Sequence, residues 1–315
     1  MMPHGVSVLG RGAALLLAAA AGLACPAPGS SADRADGPLR IVVTTTIVAD
    51  LVRNVGGPHV EVTSLMGPGV DPHLYKPSEG DLGRMSGAHA VFYTGLHLEG
   101  KMTDVFEQMA GRGVPAFALA ECIDEDELIV ASGFSGIHDP HVWFDVRMWS
   151  RTVECARDHL SGLDPEHAVA YEENAARYVA ELDELDAYVR QRIVEIPAEL
   201  RVLVTAHDAF GYFGRAYGME VLGLLGVSTA AEAGTADVQR LAREIAARRI
   251  PAMFVESSVA PRYIEALQQA VRARGYDVQI GGSLFSDALG DEDTPAGTYI
   301  GAVRHNVETI VTALR

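Results

Sequence analysis

Short apolar runs rich in β-branched residues alternate along the chain with longer stretches of helical periodicity, the pattern of parallel α/β architecture. The segments Arg40–Thr45, Val60–Met66, Ala90–Tyr93 and Pro115–Ala118 read as strands of a first lobe. Val202–Thr205, Glu220–Leu225, Ala252–Val255 and Asp277–Ile280 read as strands of a second. Between them Asp164 to Pro197 reads as one continuous helix. Asp164 suits the N-cap, Pro165 the first turn, and apolar residues recur at helical spacing through Tyr178, Leu182, Leu185 and Val189. Some thirty residues rising 1.5 Å each span roughly 45 Å, enough to run the length of the molecule. The expectation is an α/β fold of two lobes, 40–163 and 198–315, each a parallel sheet flanked by helices and joined by one long rigid helix over 164–197.

The N-terminus breaks this pattern. A weakly basic lead, Met1 to Arg11, precedes an Ala, Leu and Gly run from Gly12 to Ala24, the layout of a secretory signal peptide. A membrane span needs roughly 20 apolar residues, and Pro26 and Pro28 interrupt the run too early. Gly22-Leu23-Ala24-Cys25 resembles a lipoprotein box with Gly22 where Leu is usual, and cleavage after Ser30-Ser31-Ala32 is the alternative. Residues 1–32 are therefore expected to be signal peptide and tether, with possible lipidation at Cys25. The product would be exported, either free in the periplasm or lipid-anchored at the cell envelope.

Composition narrows the function. With 25 basic against 42 acidic residues the formal net charge is −17, which argues against a nucleic-acid partner. Of the three cysteines, Cys122 and Cys155 follow Cys25. They either pair in an oxidising compartment or stay as buried thiols, and their spacing suggests neither a cysteine-based metal site nor a catalytic thiol.

Candidate chemistry gathers just beyond the strands. Asp71-Pro72-His73 follows the strand ending near Met66, and the tripeptide returns as Asp139-Pro140-His141. Proline fixes φ and limits the residue before it, so each His sits on a stiff loop. His207 in Thr205-Ala206-His207-Asp208 and Asp287 in Ser283-Leu284-Phe285-Ser286-Asp287 lie just past two more strands. In open parallel sheets ligands gather beyond the carboxyl ends of the strands, so two groups from each lobe would converge on one cleft. Three imidazoles and a carboxylate suit Zn²⁺, Mn²⁺, Fe²⁺ or Co²⁺ and disfavour calcium. The remaining histidines, His59, His89, His97, His138, His159, His167 and His305, are expected to be surface or core residues, with His138 the one nearest the cleft.

The motifs Asp71-Pro72-His73-Leu74-Tyr75-Lys76-Pro77-Ser78, Gly95-Leu96-His97-Leu98-Glu99-Gly100, Asp139-Pro140-His141-Val142-Trp143-Phe144-Asp145, His207-Asp208-Ala209-Phe210-Gly211-Tyr212-Phe213, Phe254-Val255-Glu256-Ser257-Ser258 and Leu284-Phe285-Ser286-Asp287-Ala288-Leu289-Gly290 resemble the metal-receptor family of bacterial ABC importers, the cluster A-I solute-binding proteins for zinc and manganese. The likeness runs from Ile41 to Leu314. It implies two α/β lobes joined by a long helix, one Mn²⁺ or Zn²⁺ held by His73, His141, His207 and Asp287, an ABC-type membrane permease as partner, and a monomeric receptor. Many zinc-specific members carry a His-rich loop between the first two ligands, whereas Glu121 to Ile137 has no His. Many manganese-specific members have Glu at the third ligand, which here is His207. The resulting three-His, one-Asp set resembles that of a spirochaetal manganese and zinc receptor.

A ligating His usually donates its second ring N–H to a carboxylate or carbonyl, and Glu256 is the candidate for that role. Asp71, Asp139 and Asp208 are expected to brace turns, and Trp143 and Tyr75 to wall the site. Two other functions use the same residues. A secreted metal-dependent hydrolase would need an open fourth position for water, and no His-Glu-x-x-His run is present. A surface adhesin or metal buffer would differ only in lacking a permease.

Overall fold

The computed structural model describes residues 37–131 and 137–315; the signal peptide and tether expected over residues 1–32, with the lipidation expected at Cys25, lie outside them. Four parallel strands form the first sheet in the order β2-β1-β3-β4, from β1 (Leu39–Val43), β2 (Val60–Ser64), β3 (Ala90–Tyr93) and β4 (Ala116–Ala118). The central strands are buried on both faces, with Ile41, Val43, Val91 and Phe92 at most 1 % exposed, as expected where helices cover a parallel sheet. Helix α1 (Thr46–Gly56) starts where the Thr45 hydroxyl accepts from the Val48 N–H. A capping box from Ser78 and Asp81 starts α2 (Glu79–Ser86), and α3 (Thr103–Gly111) leads back into β4.

After β4 the chain reaches α4 (Val146–Leu163) and then α5 (Ala168–Ile193). The latter is the expected connecting helix, 26 residues long and so about 39 Å. Its start departs from expectation. Asp164 does not cap α5; its carboxylate accepts from His167 Nδ1 at 2.6 Å and from the Tyr171 hydroxyl at 3.0 Å, and a 3₁₀ turn over Pro165–His167 precedes the helix. Side chains three and seven residues further on compete for the carboxylate that a cap would use. The expected apolar stripe is real: Tyr171, Tyr178, Leu182, Leu185, Val189 and Ile193 are buried.

The second half supplies β5 (Val202–Thr205), α6 (Gly211–Tyr217), β6 (Glu220–Gly223), α7 (Thr235–Arg248), β7 (Ala252–Glu256), α8 (Arg262–Arg272), β8 (Gln279–Leu284) and α9 (Tyr299–Leu314). All its strand pairs are parallel, but they hydrogen-bond as two pairs, β5 with β6 and β7 with β8, with β5 packed beside β7. The last strand begins two residues later than its sequence pattern and extends to Leu284. Helix α5 packs against α1, α4 and α9. One hydrophobic core runs through all of these, from Val43 and Leu51 to Leu203, Phe254 and Ile310, so Pro38–Arg315 form one compact unit. Cys122 and Cys155 are paired in a disulfide that ties the turn after β4 to α4, settling the alternative the sequence left open. Among the described residues no helix is long and apolar enough to cross a membrane.

Candidate metal centre

Both Asp-Pro-His segments fold by the same local chemistry. Asp71 Oδ1 accepts from the backbone N–H of His73, and Asp139 Oδ1 from that of His141, each at 2.9 Å. This is the side-chain-mimics-backbone turn that Asp favours, stiffened by the intervening proline. Asp71 is further tied across the molecule, its Oδ2 accepting from the Thr229 hydroxyl at 2.6 Å. His207 lies two residues past β5, where the Thr205 hydroxyl donates to its carbonyl at 2.8 Å. Asp287 lies three residues past β8. Two glycines admit close approach around these loops. A Cβ on Gly223 would stand 2.7 Å from the Asp208 nitrogen, and one on Gly211 2.9 Å from Asp139 Oδ2.

These turns bring His73, His141, His207 and Asp287 together, with one ligand atom from each all within 4.8 Å of one another. His73 Nε2 is 3.3 Å from His141 Nε2, and Asp287 Oδ1 is 3.4 Å from both His141 Nε2 and His207 Nε2. Ligand atoms arranged tetrahedrally at ~2.0–2.1 Å from a Zn²⁺ would be separated by ~3.3–3.4 Å, the edge of that tetrahedron. His141, His207 and Asp287 are wholly buried and His73 is 6 % exposed, so the approach from solvent is over His73. There it lines a cavity of about 180 Å³ with Leu96, His97 and His138. His207 Nε2 and Asp287 Oδ1 have no hydrogen-bond partner among the described residues. Buried polar atoms left in that state are costly, and a shared cation would satisfy them together.

The far sides of the rings are held by carboxylates. Asp139 Oδ1 takes the His141 ring at Nδ1, 2.6 Å away. Glu256 Oε1 accepts from the His207 backbone N–H at 2.9 Å, while its Oε2 lies 2.6 Å from His207 Nδ1. That second approach satisfies neither atom as an aligned hydrogen bond; it is a close charge contact. Asp287 Oδ2 accepts from the Ser258 hydroxyl at 3.1 Å, which itself meets Ser286 Oγ at 2.7 Å.

Charge follows geometry. Burial drives the His73 imidazole down to about 3, against the pull of Asp287, leaving it neutral. Burial also opposes charge on His141, but Asp139 and Asp287 outweigh it and raise the ring to about 9. Glu256 and Asp287 likewise overcome burial and hold His207 well above its ordinary value. Against its own burial, His207 and His141 keep Asp287 well below the usual carboxylate range.

The other residues singled out by their sequence setting divide. Asp139 is more than a turn brace, because the oxygen that closes its turn also orients the His141 ring. Trp143 walls the site, its ring 5.2 Å from that of His141 and its indole N–H donating to the Ser286 carbonyl at 3.1 Å. Tyr75 instead donates to Asp81 Oδ2 at 2.8 Å and packs with Met66 and Met85. Ser258 carried no sequence signal of its own, although it follows Glu256 in the same motif. Elsewhere His59 stacks on His167, His89 Nδ1 accepts from the Arg40 N–H, and His305 contacts the Ser283 carbonyl.

A family model for the periplasmic zinc-uptake complex component A matches residues 41–313. The chain belongs to that family. It is 49 % identical over 286 residues to the zinc-binding protein TroA of Treponema pallidum, covering 91 % of this chain and 92 % of that one. It is 47 % identical over 286 residues to the manganese-binding lipoprotein MntA of Bacillus subtilis, covering 91 % and 93 %. The solved structure of the periplasmic zinc-binding TroA superposes with a TM-score of 0.86 at 49 % identity, over 88 % of this chain and 99 % of that one. The two-lobed α/β fold with its long helix is therefore that of a solved relative.

Proposed function

We propose that this chain is the extracytoplasmic solute-binding protein of an ABC importer, capturing one Mn²⁺ or Zn²⁺ between its lobes with His73, His141, His207 and Asp287 and delivering it to a membrane permease. The observation that carries the reading is the buried convergence of three imidazole nitrogens and one carboxylate oxygen at 3.3 to 3.4 Å, two of them without other partners. Membership of an uptake-complex family supports the transport role. Relatives named for zinc and for manganese binding support both ions as cargo. Four protein ligands close the site, which disfavours a hydrolase that must keep a position for water.

In this reading residues 1–32 direct export, the mature protein is periplasmic or anchored through Cys25, and it acts as a monomer. Lobes 40–163 and 198–315, bridged by 164–197, each contribute two ligands. The ion thus completes its shell only at one lobe spacing, and the permease must disturb that spacing to take it. Intrinsic affinity rises from Mn²⁺ to Zn²⁺ in N and O sites, so the isolated protein should hold zinc more tightly. The test is competitive titration of chelator-stripped protein with Zn²⁺, Mn²⁺ and Fe²⁺. One equivalent bound below micromolar Kd and lost in His207→Ala is expected; binding indifferent to His207 would overturn the assignment.

A further inference from the structure

A second cluster of metal-ligating atoms lies away from this cleft. The sulfurs of Cys122 and Cys155 and one ring nitrogen of His159 all sit within 4.8 Å of one another. Cys155 and His159 are four residues apart on α4, one helical turn, and so share a face. Cys122 comes from the turn that closes β4, with its Cα 6.2 Å from that of Cys155. Packing, not hydrogen bonding, aims the His159 ring: it stacks on Phe117 with centroids 3.9 Å apart and meets Phe92 edge-on at 6.1 Å. No hydrogen bond or ion pair engages its ring nitrogens among the described residues.

We propose that Cys122, Cys155 and His159 form a second metal site, closed by the disulfide and opened by its reduction, that takes a thiophilic divalent cation such as Zn²⁺. A dithiol reductant supplies two electrons and two protons, breaking the sulfur–sulfur bond and becoming a disulfide itself. The two thiols lose their protons as the ion binds, so two protons leave per ion held. Two thiolates and an imidazole are three of the four ligands of a tetrahedral zinc site, at ~2.3 Å for sulfur and ~2.0–2.1 Å for nitrogen. Cys122 is exposed while Cys155 is buried and His159 half-buried, so water can reach the cluster from the Cys122 side to serve as the fourth ligand. Thiolate ligands select zinc over manganese, giving this cluster a narrower taste than the all-nitrogen-and-oxygen cleft. Disulfide and ion then exclude one another.

The site can be counted independently of the cleft, which contains no sulfur. Mature protein, oxidised or reduced with a phosphine and desalted anaerobically, is titrated with Co²⁺ and Zn²⁺. Reduced protein should show thiolate-to-cobalt charge-transfer absorption, displaced by Zn²⁺ and not by Mn²⁺, and one more Zn²⁺ equivalent than oxidised protein. Cys122→Ser, at an exposed position, should abolish the absorption, and His159→Ala should weaken the extra equivalent at least tenfold. His207→Ala should leave the absorption in place. Equal stoichiometry in the two redox states, or an extra equivalent untouched by Cys122→Ser and His159→Ala, would overturn the proposal whatever the cleft binds.

Discussion

Asp139 Oδ1 stands 2.9 Å from the His141 backbone nitrogen and 2.6 Å from its ring Nδ1, so one oxygen fixes both the turn and the imidazole it carries. Glu256 does the equivalent for His207 from a different strand, with one oxygen on the backbone and the other against the ring. In each case Nε2 is left facing the cleft. These two carboxylates lie against the far sides of the rings and aim them, the arrangement that orients an imidazole toward a metal.

Replacing either should therefore weaken metal binding without removing a ligand. Asp139→Asn and Glu256→Gln are expected to lose about 10- to 100-fold in affinity while still binding one equivalent. Competition against a chromophoric chelator measures this. Unchanged affinity in both variants would show that the rings are aimed by packing alone.

Proton competition gives a pH dependence whose sign can be worked out. His73, driven to about 3, carries no proton at neutral pH, whereas His141, raised to about 9, and His207, also raised, do. A metal must displace those protons, so affinity should climb with pH through neutrality toward about 9, well past the ordinary histidine value of 6.5. Calorimetry in buffers of different ionisation enthalpy should register up to two protons released per ion near pH 7. The metal-free protein behaves oppositely. A folded-state pKa raised above the unfolded one contributes stability that is full below 6.5 and lost as pH rises through about 9. Its melting temperature should fall across that window, and the fall should vanish with saturating Zn²⁺. A flat affinity from pH 6.5 to 9 would contradict the charge assignment.

What could be read from sequence was what is decided locally. The strands were visible because of unbroken apolar runs such as Ile41–Val43 and Val202–Val204, buried on both faces, and α5 because Tyr178, Leu182, Leu185 and Val189 keep one stripe. The convergence was legible because His73, His207 and Asp287 come shortly after strands, while His73 and His141 share an Asp-Pro-His turn that adjacent residues signal. What escaped depends on side-chain rotamers or on partners distant in the chain. Asp164 was drawn from its cap by the rotamers of the nearby His167 and Tyr171. The Asp139 rotamer that reaches His141 follows from space left by Gly211, and Tyr75 was claimed by Asp81. Cys122 approaches Cys155 and His159 only through the pairing of β3 with β4 and the packing of α4 beneath, which no residue spacing announces.

Glu99, in the Gly95–Gly100 motif, ties two strand ends. Its buried carboxylate accepts from the Thr44 hydroxyl at 2.6 Å and the backbone N–H groups of Thr94 and Gly95 at 2.9 and 3.2 Å, binding the ends of β1 and β3 together. Glu99→Ala would strand those donors in a dry interior at ~1–3 kcal/mol each. A loss of about 3 kcal/mol or more in denaturant unfolding is expected, with metal stoichiometry still one. Loss of metal binding in a variant that keeps its stability would instead place Glu99 in the site's own machinery.

The last prediction concerns motion. Helix α5 is packed against α1, α4 and α9 at once, and its hold on the first half is polar as well as apolar, since Tyr178 donates to the buried Asp50 carboxylate at 2.9 Å. Wide hinge closure would have to break a core shared by both halves, whereas small shifts of the ligand loops cost far less. Metal-free and metal-bound protein should therefore give superimposable X-ray scattering curves, with metal-dependent changes in amide exchange confined to the loops bearing His73, His141, His207 and Asp287. Leu185→Ala, which opens a cavity under the helix at a cost of about 2–5 kcal/mol, should loosen that restraint and let the metal-free curve broaden. A marked compaction of the unaltered protein on binding would mean that α5 bends or slides, and that the ion closes the lobes instead of finding them already spaced.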